Sequence, residues 1–283
     1  MIITDNEQSI SELSAKWRKE GLTVGFVPTM GALHDGHKSL VRIAAEASDR
    51  VVVSIFVNPV QFGAGEDLLK YPRTPLEDCR AVEEAGASAV FTPEPEAVYP
   101  NGFSTGIHVE GMTSLLCGAA RPGHFDGVTT VCSVLFGIVK PHLAVFGMKD
   151  AQQLAVVRRM VTDLRMGIQI IAAPIVREAD GIAMSSRNRY LSALERIDAS
   201  KIFCGLKAAE QLARNGEKKC SLLKEAFVEA VRNSALLRVQ YVETVDPDTM
   251  ERVESVEERV LLAVAVFAGQ TRLIDNILIQ AEV

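Results

Sequence analysis

The segment Val51-Val52-Val53-Ser54-Ile55-Phe56-Val57 is a nearly continuous run of β-branched residues. A strand with one wet face alternates apolar and polar positions. This run has no wet face, so it belongs to a sheet covered on both sides. The flanking sequence supplies the covering helices. Leu22–Val27 reads as a strand stopped by Pro28, and Gly36–Ser48 as a helix with Leu40, Ile43, Ala44 and Ala47 on one side. Pro75–Ala85 reads as a helix opened by its proline, and Ala87–Phe91 as a short strand. Val128–Val139 is a helix that must end before Pro141. Leu143–Phe146, Asp150–Leu164 with Asp150 at the cap, and Ile168–Ala172 complete the series. The β-α-β-α order implies an α/β fold, a parallel sheet with helices on both faces.

Beyond about residue 175 the pattern changes. Ser192–Asn215 and Lys218–Ser234 carry apolar residues three and four apart. Val239–Val245, Val260–Phe267 and Thr271–Ile279 follow as strands, with Ala268-Gly269-Gln270 as a hairpin turn. We therefore expect residues 1–175 to form the parallel-sheet domain and 176–283 a smaller C-terminal α+β domain.

With 30 Lys+Arg against 36 Asp+Glu the formal charge is −6, so unspecific binding to nucleic acid is disfavoured and an anionic ligand needs a local cationic site. Cys79, Cys117, Cys132, Cys204 and Cys220 form no CxxC or CxH pattern, which suggests neither a zinc site nor a disulfide framework. They read as buried small hydrophobes in a reducing compartment. The N-terminal segment lacks the basic-then-apolar order of a signal peptide, and no apolar run reaches about 18 residues. A cytoplasmic protein is expected.

Pro28-Thr29-Met30-Gly31-Ala32-Leu33-His34-Asp35-Gly36-His37 lies between the first strand and the first helix of the series. Ligands of open parallel sheets bind beyond the carboxyl ends of strands. Unpaired N–H groups and the positive helix end favour phosphate there, and Gly31 and Gly36 permit close approach. His34 and His37, three residues apart, share a helix face and can both donate to phosphate oxygens. A metal pair with Asp35 is a weaker reading, because the adjacent Asp points elsewhere.

PTMGALHDGH resembles the ATP signature of the pantothenate synthetase (pantoate–β-alanine ligase) family. HxGH alone is shared with other nucleotidyl-transfer enzymes. The resemblance is narrowed by Phe56–Phe62 (FVNPVQF), Tyr71–Thr74 (YPRT), Arg121–Val128 (RPGHFDGV), Phe146–Gln153 (FGMKDAQQ) and Arg177–Asn188 (READGIAMSSRN), in that order. It departs at Met148, where the family more often has Glu; the Lys149-Asp150 pair is intact.

The resemblance implies a Rossmann-like nucleotidyl-transferase domain and an ATP-dependent condensation of pantoate with β-alanine through pantoyl-adenylate. Its implied ATP contacts are Met30, Gly31, Ala32, Leu33, His34, Asp35, Gly36 and His37; Gly147, Met148, Lys149 and Asp150; the backbone of Val176; and Met184, Ser185, Ser186 and Arg187. Of these, His37, His34, Lys149 and Arg187 are the implied catalytic residues. Gln61, Gln153 and Asn58 are implied for pantoate and β-alanine. Neutral amides suit a carboxylate that must stay nucleophilic, and Pro28, Met30 and Phe62 offer an apolar wall for its gem-dimethyl group. The MSSR segment is similar to the mobile KMSKS-type loops, and Tyr99–Gly102 and Arg121–Phe125 read as loops that cover the site. Mg2+ is expected with ATP, without an assigned metal ligand: Glu77 and Asp78 read equally well as a solvated helix face. A homodimer is expected from the family. The alternatives are an adenylyl- or cytidylyltransferase that stops after nucleotidyl transfer, and a silent ATP-binding module.

Overall fold

The computed structural model describes residues 1–63 and 65–281. Six strands, β1 (Ile2–Thr4), β2 (Val24–Thr29), β3 (Arg50–Ile55), β4 (Ala89–Phe91), β5 (Leu143–Gly147) and β6 (Gln169–Ala173), form a sheet in the order β1-β4-β3-β2-β5-β6. Every pairing in it is parallel. The helices are α1 (Glu7–Lys19), α2 (Asp35–Ala47), α3 (Pro75–Glu84), α4 (Pro95–Val98), α5 (Leu116–Ala120), α6 (His124–Val139), α7 (Ala151–Asp163), α8 (Ala193–Arg214) and α9 (Cys220–Val231).

The β-branched run behaves as its composition requires. Val52 of β3 joins one core with Phe26, Phe146, Phe125 and Met160, under α1, α6 and α7. Val51 and Val53 join the other, with Val41 and Ala44 of α2 and Val82 of α3. Burying each such side chain contributes roughly 1.5–3 kcal/mol, so the sheet is fixed from both sides.

Pro28 does not stop β2. The strand continues to Thr29, with Pro28 opposite Ser54 of β3. On its other side β2 pairs with β5 only at Gly25 and Phe26. The two strands have separated before Pro28 is reached, so its missing N–H costs no ladder bond on that side. The chain then leaves β2 toward α2 on one face and β5 toward α7 on the other. That divergence opens a crevice at the topological switch point.

Three antiparallel strands, β7 (Leu237–Val245), β8 (Arg259–Ala268) and β9 (Thr271–Gln280), form the second sheet. Val260, Leu262, Val264 and Val266 of β8 pack with Leu206 of α8 and Phe227 of α9. Leu261 and Ala263 face the opposite way, into the core of the parallel-sheet region. β8 is thus buried on both faces and ties the C-terminal elements to the rest. Of the cysteines, Cys117, Cys132 and Cys220 are buried and Cys79 is partly so, but Cys204 is exposed, against the expectation for all five. Among the described residues, no helix is long and apolar enough to cross a membrane.

Candidate active site

A cleft of ≈ 1240 Å³ occupies the crevice between the ends of β2 and β5. Met30, His34, Gly36, His37, Gly147, Lys149, Asp150, Val176, Met184, Ser185, Ser186 and Arg187 line it, as do Asn58, Gln61 and Gln153. Gly31, Ala32, Leu33, Asp35 and Met148 lie outside its walls; Asp35 turns outward to an ion pair with Lys38 at 2.5 Å. The Met148 side chain packs against the core, while its carbonyl accepts from the Asn276 amide at 2.9 Å. Phe62 is also absent from the walls, because it stacks edge-on against Tyr71 at 5.9 Å. Phe56, Val128 and Val131 provide the apolar surface beside Pro28 and Met30 instead.

The turn from β2 into α2 is held by a residue the sequence did not single out for this role. Asp78 of α3 is buried, not part of a solvated face. Its carboxylate accepts from the backbone N–H groups of Ala32 at 3.0 Å and Leu33 at 2.8 Å, and from the Thr74 hydroxyl at 3.1 Å. Gly31 and Ala32 both have positive φ, +81° and +51°. For Ala32 that conformation costs of order 1–3 kcal/mol, and the two N–H bonds to Asp78 offset it. The only hint in the sequence was an acidic residue early in a Pro-initiated helix.

His34 caps α2, and His37 folds back so that its Nδ1 accepts the His34 N–H at 3.3 Å. Accepting there leaves the proton of neutral His37 on Nε2, as a donor. Burial is the largest cause that holds His37 well below the usual imidazole value, with His34 and Lys149 adding to it. Burial, then Lys149, lowers His34 to about 4. The two rings stack with centroids 4.1 Å apart. A Cβ on Gly36 would sit 2.9 Å from the His34 ring, so the glycine between the histidines makes room for the first of them.

Gln61 is buried; its Oε1 accepts from Asn58 at 3.1 Å and its Nε2 points to the Met30 sulfur at 3.0 Å. Asn58 is itself consumed by the protein, donating to Gly127 O at 3.0 Å and accepting from the Tyr99 hydroxyl at 2.8 Å. It acts by orienting Gln61. Arg121–Phe125 is not a free covering loop: His124 opens α6, and its Nδ1 meets the Gln61 carbonyl at 2.8 Å. Its Nε2 faces Arg121 at 2.9 Å, and burial, then Arg121, lowers its value to about 4. Neutral His124 therefore donates through Nδ1 to Gln61 and accepts through Nε2 from Arg121. A Cβ on Gly127 would lie 2.7 Å from Gln61 N and Cα, so this glycine lets the Asn58–Gln61 turn rest on α6.

At the other wall, Lys149 Nζ stands 3.7 Å from the Asp150 carboxylate. Asp150 occupies the N-cap position of α7 but makes no capping hydrogen bond, contrary to the expected cap. The 3₁₀ turn Met148–Asp150 runs straight into the helix and leaves that side chain to the cleft. Asn276 of β9 donates to the carbonyls of Met148 and Lys149 at 2.9 and 3.0 Å. Its neighbour Asp275 holds Arg177 at 2.6 and 2.9 Å. A polar Asp-Asn pair between the apolar stretches Leu273-Ile274 and Ile277–Ile279 was the signal available for both.

The MSSRN segment is well tied. Met184 N–H donates to Val176 O at 2.9 Å, Ser185 accepts from Arg187 N–H at 3.3 Å, and Asn188 donates to Glu178 at 2.6 Å. Arg187 donates through Nε and NH2 to Asp67, at 3.1 and 2.9 Å. A second cavity of ≈ 950 Å³ adjoins the cleft and shares Lys149, Asp150, Gln153, Ser185 and Arg187 with it.

A parallel sheet with a cleft at its switch point, paired neutral histidines on a helix N-terminus, and Lys149 and Arg187 facing them define an ATP-using enzyme of the nucleotidyl-transfer class. Comparison narrows that class. The chain belongs to the Pantoate-beta-alanine ligase family, whose profile it matches over residues 2–278. It is 51% identical over 261 residues, 92% of each chain, to the pantothenate synthetase of Clostridium novyi. The identity to that of Caldicellulosiruptor bescii is 46% over 282 residues, covering all of both. The crystal structure of pantothenate synthetase from Thermus thermophilus superposes with a TM-score of 0.92 at 43% identity, over 98% of this chain and 99% of that one. A pantoate-beta-alanine ligase from Francisella tularensis, solved as a complex with beta-gamma ATP and β-alanine, gives 0.79 at 31% identity, over 98% and 97%.

Proposed function

We propose that the chain is an AMP-forming pantoate–β-alanine ligase that works through pantoyl-adenylate. The observation that carries the reading is the meeting of two kinds of group in one cleft: His34, His37, Lys149 and Arg187, which suit phosphates, and the neutral amides of Gln61 and Gln153.

The first set takes the triphosphate. The N-terminus of α2 presents its positive end, and the Nε2–H of His37 donates to oxygens of the α- and β-phosphates. Lys149 and Arg187 neutralise the charge that collects on the leaving pyrophosphate. Val176, beside Leu40 and Val145, contacts the adenine, and Ser185 and Ser186 donate hydroxyls to phosphate. Gln61 and Gln153 hold pantoate by neutral amides, so its carboxylate stays nucleophilic. Phe56, Val128 and Val131 receive its gem-dimethyl group.

The pantoate carboxylate oxygen attacks the α-phosphorus, the bond from that phosphorus to the bridging oxygen breaks, and pyrophosphate leaves with the electron pair. The β-alanine amine then attacks the acyl carbon near Gln61. The acyl carbon–oxygen bond breaks, AMP leaves, and the amine gives up its proton.

Among the described residues no group of three metal-ligating side chains gathers. A Mg2+ bound with the triphosphate would take a carboxylate from the protein. Asp150, which lines the cleft, is the residue we assign to it, and the ion would supply charge neutralisation. The same proposal divides the chain near residue 175, makes residues 176–283 the part that closes over the cleft, and places a homodimer in the cytoplasm.

The test is product analysis with ATP, pantoate and β-alanine. Pantothenate, AMP and pyrophosphate must appear in equal amounts, with no AMP released when either organic substrate is omitted. ADP and inorganic phosphate as products would overturn the adenylate route.

A further inference from the structure

Two consecutive carboxylates of one loop each hold an arginine. Glu66 receives Arg121 through Nε and NH2, both at 2.6 Å, and Asp67 receives Arg187 at 3.1 and 2.9 Å. All four side chains are mostly shielded from water, between 18% and 31% exposed. The partners differ in what lies behind them. Arg121 reaches on to His124 and to the Gln61 carbonyl at 3.4 Å, and it does not line the ATP cleft. Arg187 does line it.

A guanidinium recognises carboxylate and phosphate with the same two-point fork. Asp67 occupies the Nε–NH2 edge of Arg187, the edge a phosphate takes when bound at two points. Its carboxylate is a group of the right shape and sign in the place of the ligand. Burial pushes the Asp67 carboxyl up, but the Arg187 bond and charge more than offset this and hold it below its ordinary value. The carboxylate is therefore ionised at any pH at which the enzyme works, and a polyphosphate approaching Arg187 meets both a used guanidinium edge and a like charge.

We propose that Asp67 is an internal competitor of the ATP phosphates for Arg187 and thereby sets the enzyme's ATP affinity. Glu66, one residue away, orients Arg121 and has no part in this competition. The inference rests on the assignment of Arg187 to the phosphates made above. Before ATP binds, Asp67 keeps Arg187 from lying as an unpaired charge in a half-buried cleft. When ATP binds, the fork transfers from carboxylate to phosphate and Asp67 is released toward solvent. Part of the ATP binding energy is consumed in that exchange, which keeps ATP affinity moderate.

Asp67→Asn preserves shape and removes the charge. Direct binding of ATP to the full-length enzyme, by calorimetry, is the primary readout. The pantoate-dependent ATP KM from pyrophosphate exchange accompanies it. We expect ATP to bind Asp67→Asn about 5- to 30-fold more tightly, which is about 1–2 kcal/mol at roughly 1.4 kcal/mol per decade. Pantoate KM should be unchanged, and Glu66→Gln should not tighten ATP. Arg187→Ala alone should weaken ATP by more than about tenfold, and adding Asp67→Asn to it should have no further effect. Unchanged or weaker ATP binding in Asp67→Asn, with Arg187→Ala still damaging, overturns the competition and leaves the phosphate assignment standing. If Arg187→Ala binds ATP normally, the phosphate assignment falls and this inference with it. Asp67→Ser, read the same way, replaces Asp67→Asn if that variant melts early by circular dichroism.

Discussion

At the scale of single residues, the site works with neutral histidines. Burial first, and then His34 and Lys149, keeps His37 unprotonated, so in the proposed mechanism it would meet a developing negative charge with an N–H dipole already in place. Removing such a donor typically lowers the rate roughly 100- to 1,000-fold. His37→Ala should therefore lose kcat on that scale with a much smaller change in the ATP KM; near-normal kcat with weakened ATP binding would reduce His37 to a ground-state contact. Gln153 tests the proposed pantoate pocket. Gln153→Glu sets a carboxylate beside an anionic substrate, and at pH 8 the pantoate KM should rise by about one to three decades, at roughly 1.4 kcal/mol per decade. Acidification should partly restore it as the new carboxyl takes up a proton. Indifference of pantoate kinetics at every pH would show that Gln153 does not touch the substrate. Asp78 acts without touching either substrate. In Asp78→Asn one acceptor oxygen becomes a donor facing the N–H of Ala32 or Leu33, an unsatisfied pairing worth about 1–3 kcal/mol. A lowered melting temperature together with a fall in kcat is expected, and a variant that melts and turns over like the parent would remove Asp78 from the account.

At the scale of elements, function depends on how tightly chain segments lie against each other. The Asn58–Gln61 turn rests on α6 because residue 127 has no side chain. Gly127→Ala should push Gln61 outward and raise the pantoate KM by about 10- to 100-fold, since a displacement near 1 Å costs that much. ATP binding, measured separately, should be affected far less. This is also where legibility in the sequence divides. Periodicity located β2 to β6 and α2, α3, α6 and α7 to within a few residues, because each carries a clear apolar signal, but it missed the short elements β1, α4 and α5. It stopped β2 at Pro28, because propensity does not report that β2 and β5 have already parted there. HxGH, Lys149 and Arg187 were visible because their chemistry is concentrated in short motifs. Asp78, Asp67, His124 and Asn276 act across 46, 120, 63 and 128 positions of sequence. No local pattern records such a pairing, and their roles emerged only from the folded chain.

For the whole molecule, the same buried histidines tie stability to pH. Folded-state values near 4 for His34 and His124, and well below the ordinary 6.5 for His37, mean that the unfolded chain binds more protons between those limits. Their contribution is complete above about pH 6.5 and declines as pH falls toward 4. Asp275, raised by burial, works in the opposite sense at a single position. Thermal midpoints should thus fall steadily below pH 6.5, and a flat profile down to pH 4.5 would contradict the neutral buried rings. The larger claim is that one cleft performs two separable steps, with the acid activated before the amine is needed. Exchange of labelled pyrophosphate into ATP measures the first step alone. Supplied with ATP, magnesium and pantoate, the enzyme should catalyse exchange in the absence of β-alanine, and exchange should cease when pantoate is withheld. Exchange that waits for β-alanine, or that proceeds without pantoate, would contradict a pantoyl-adenylate formed in this cleft.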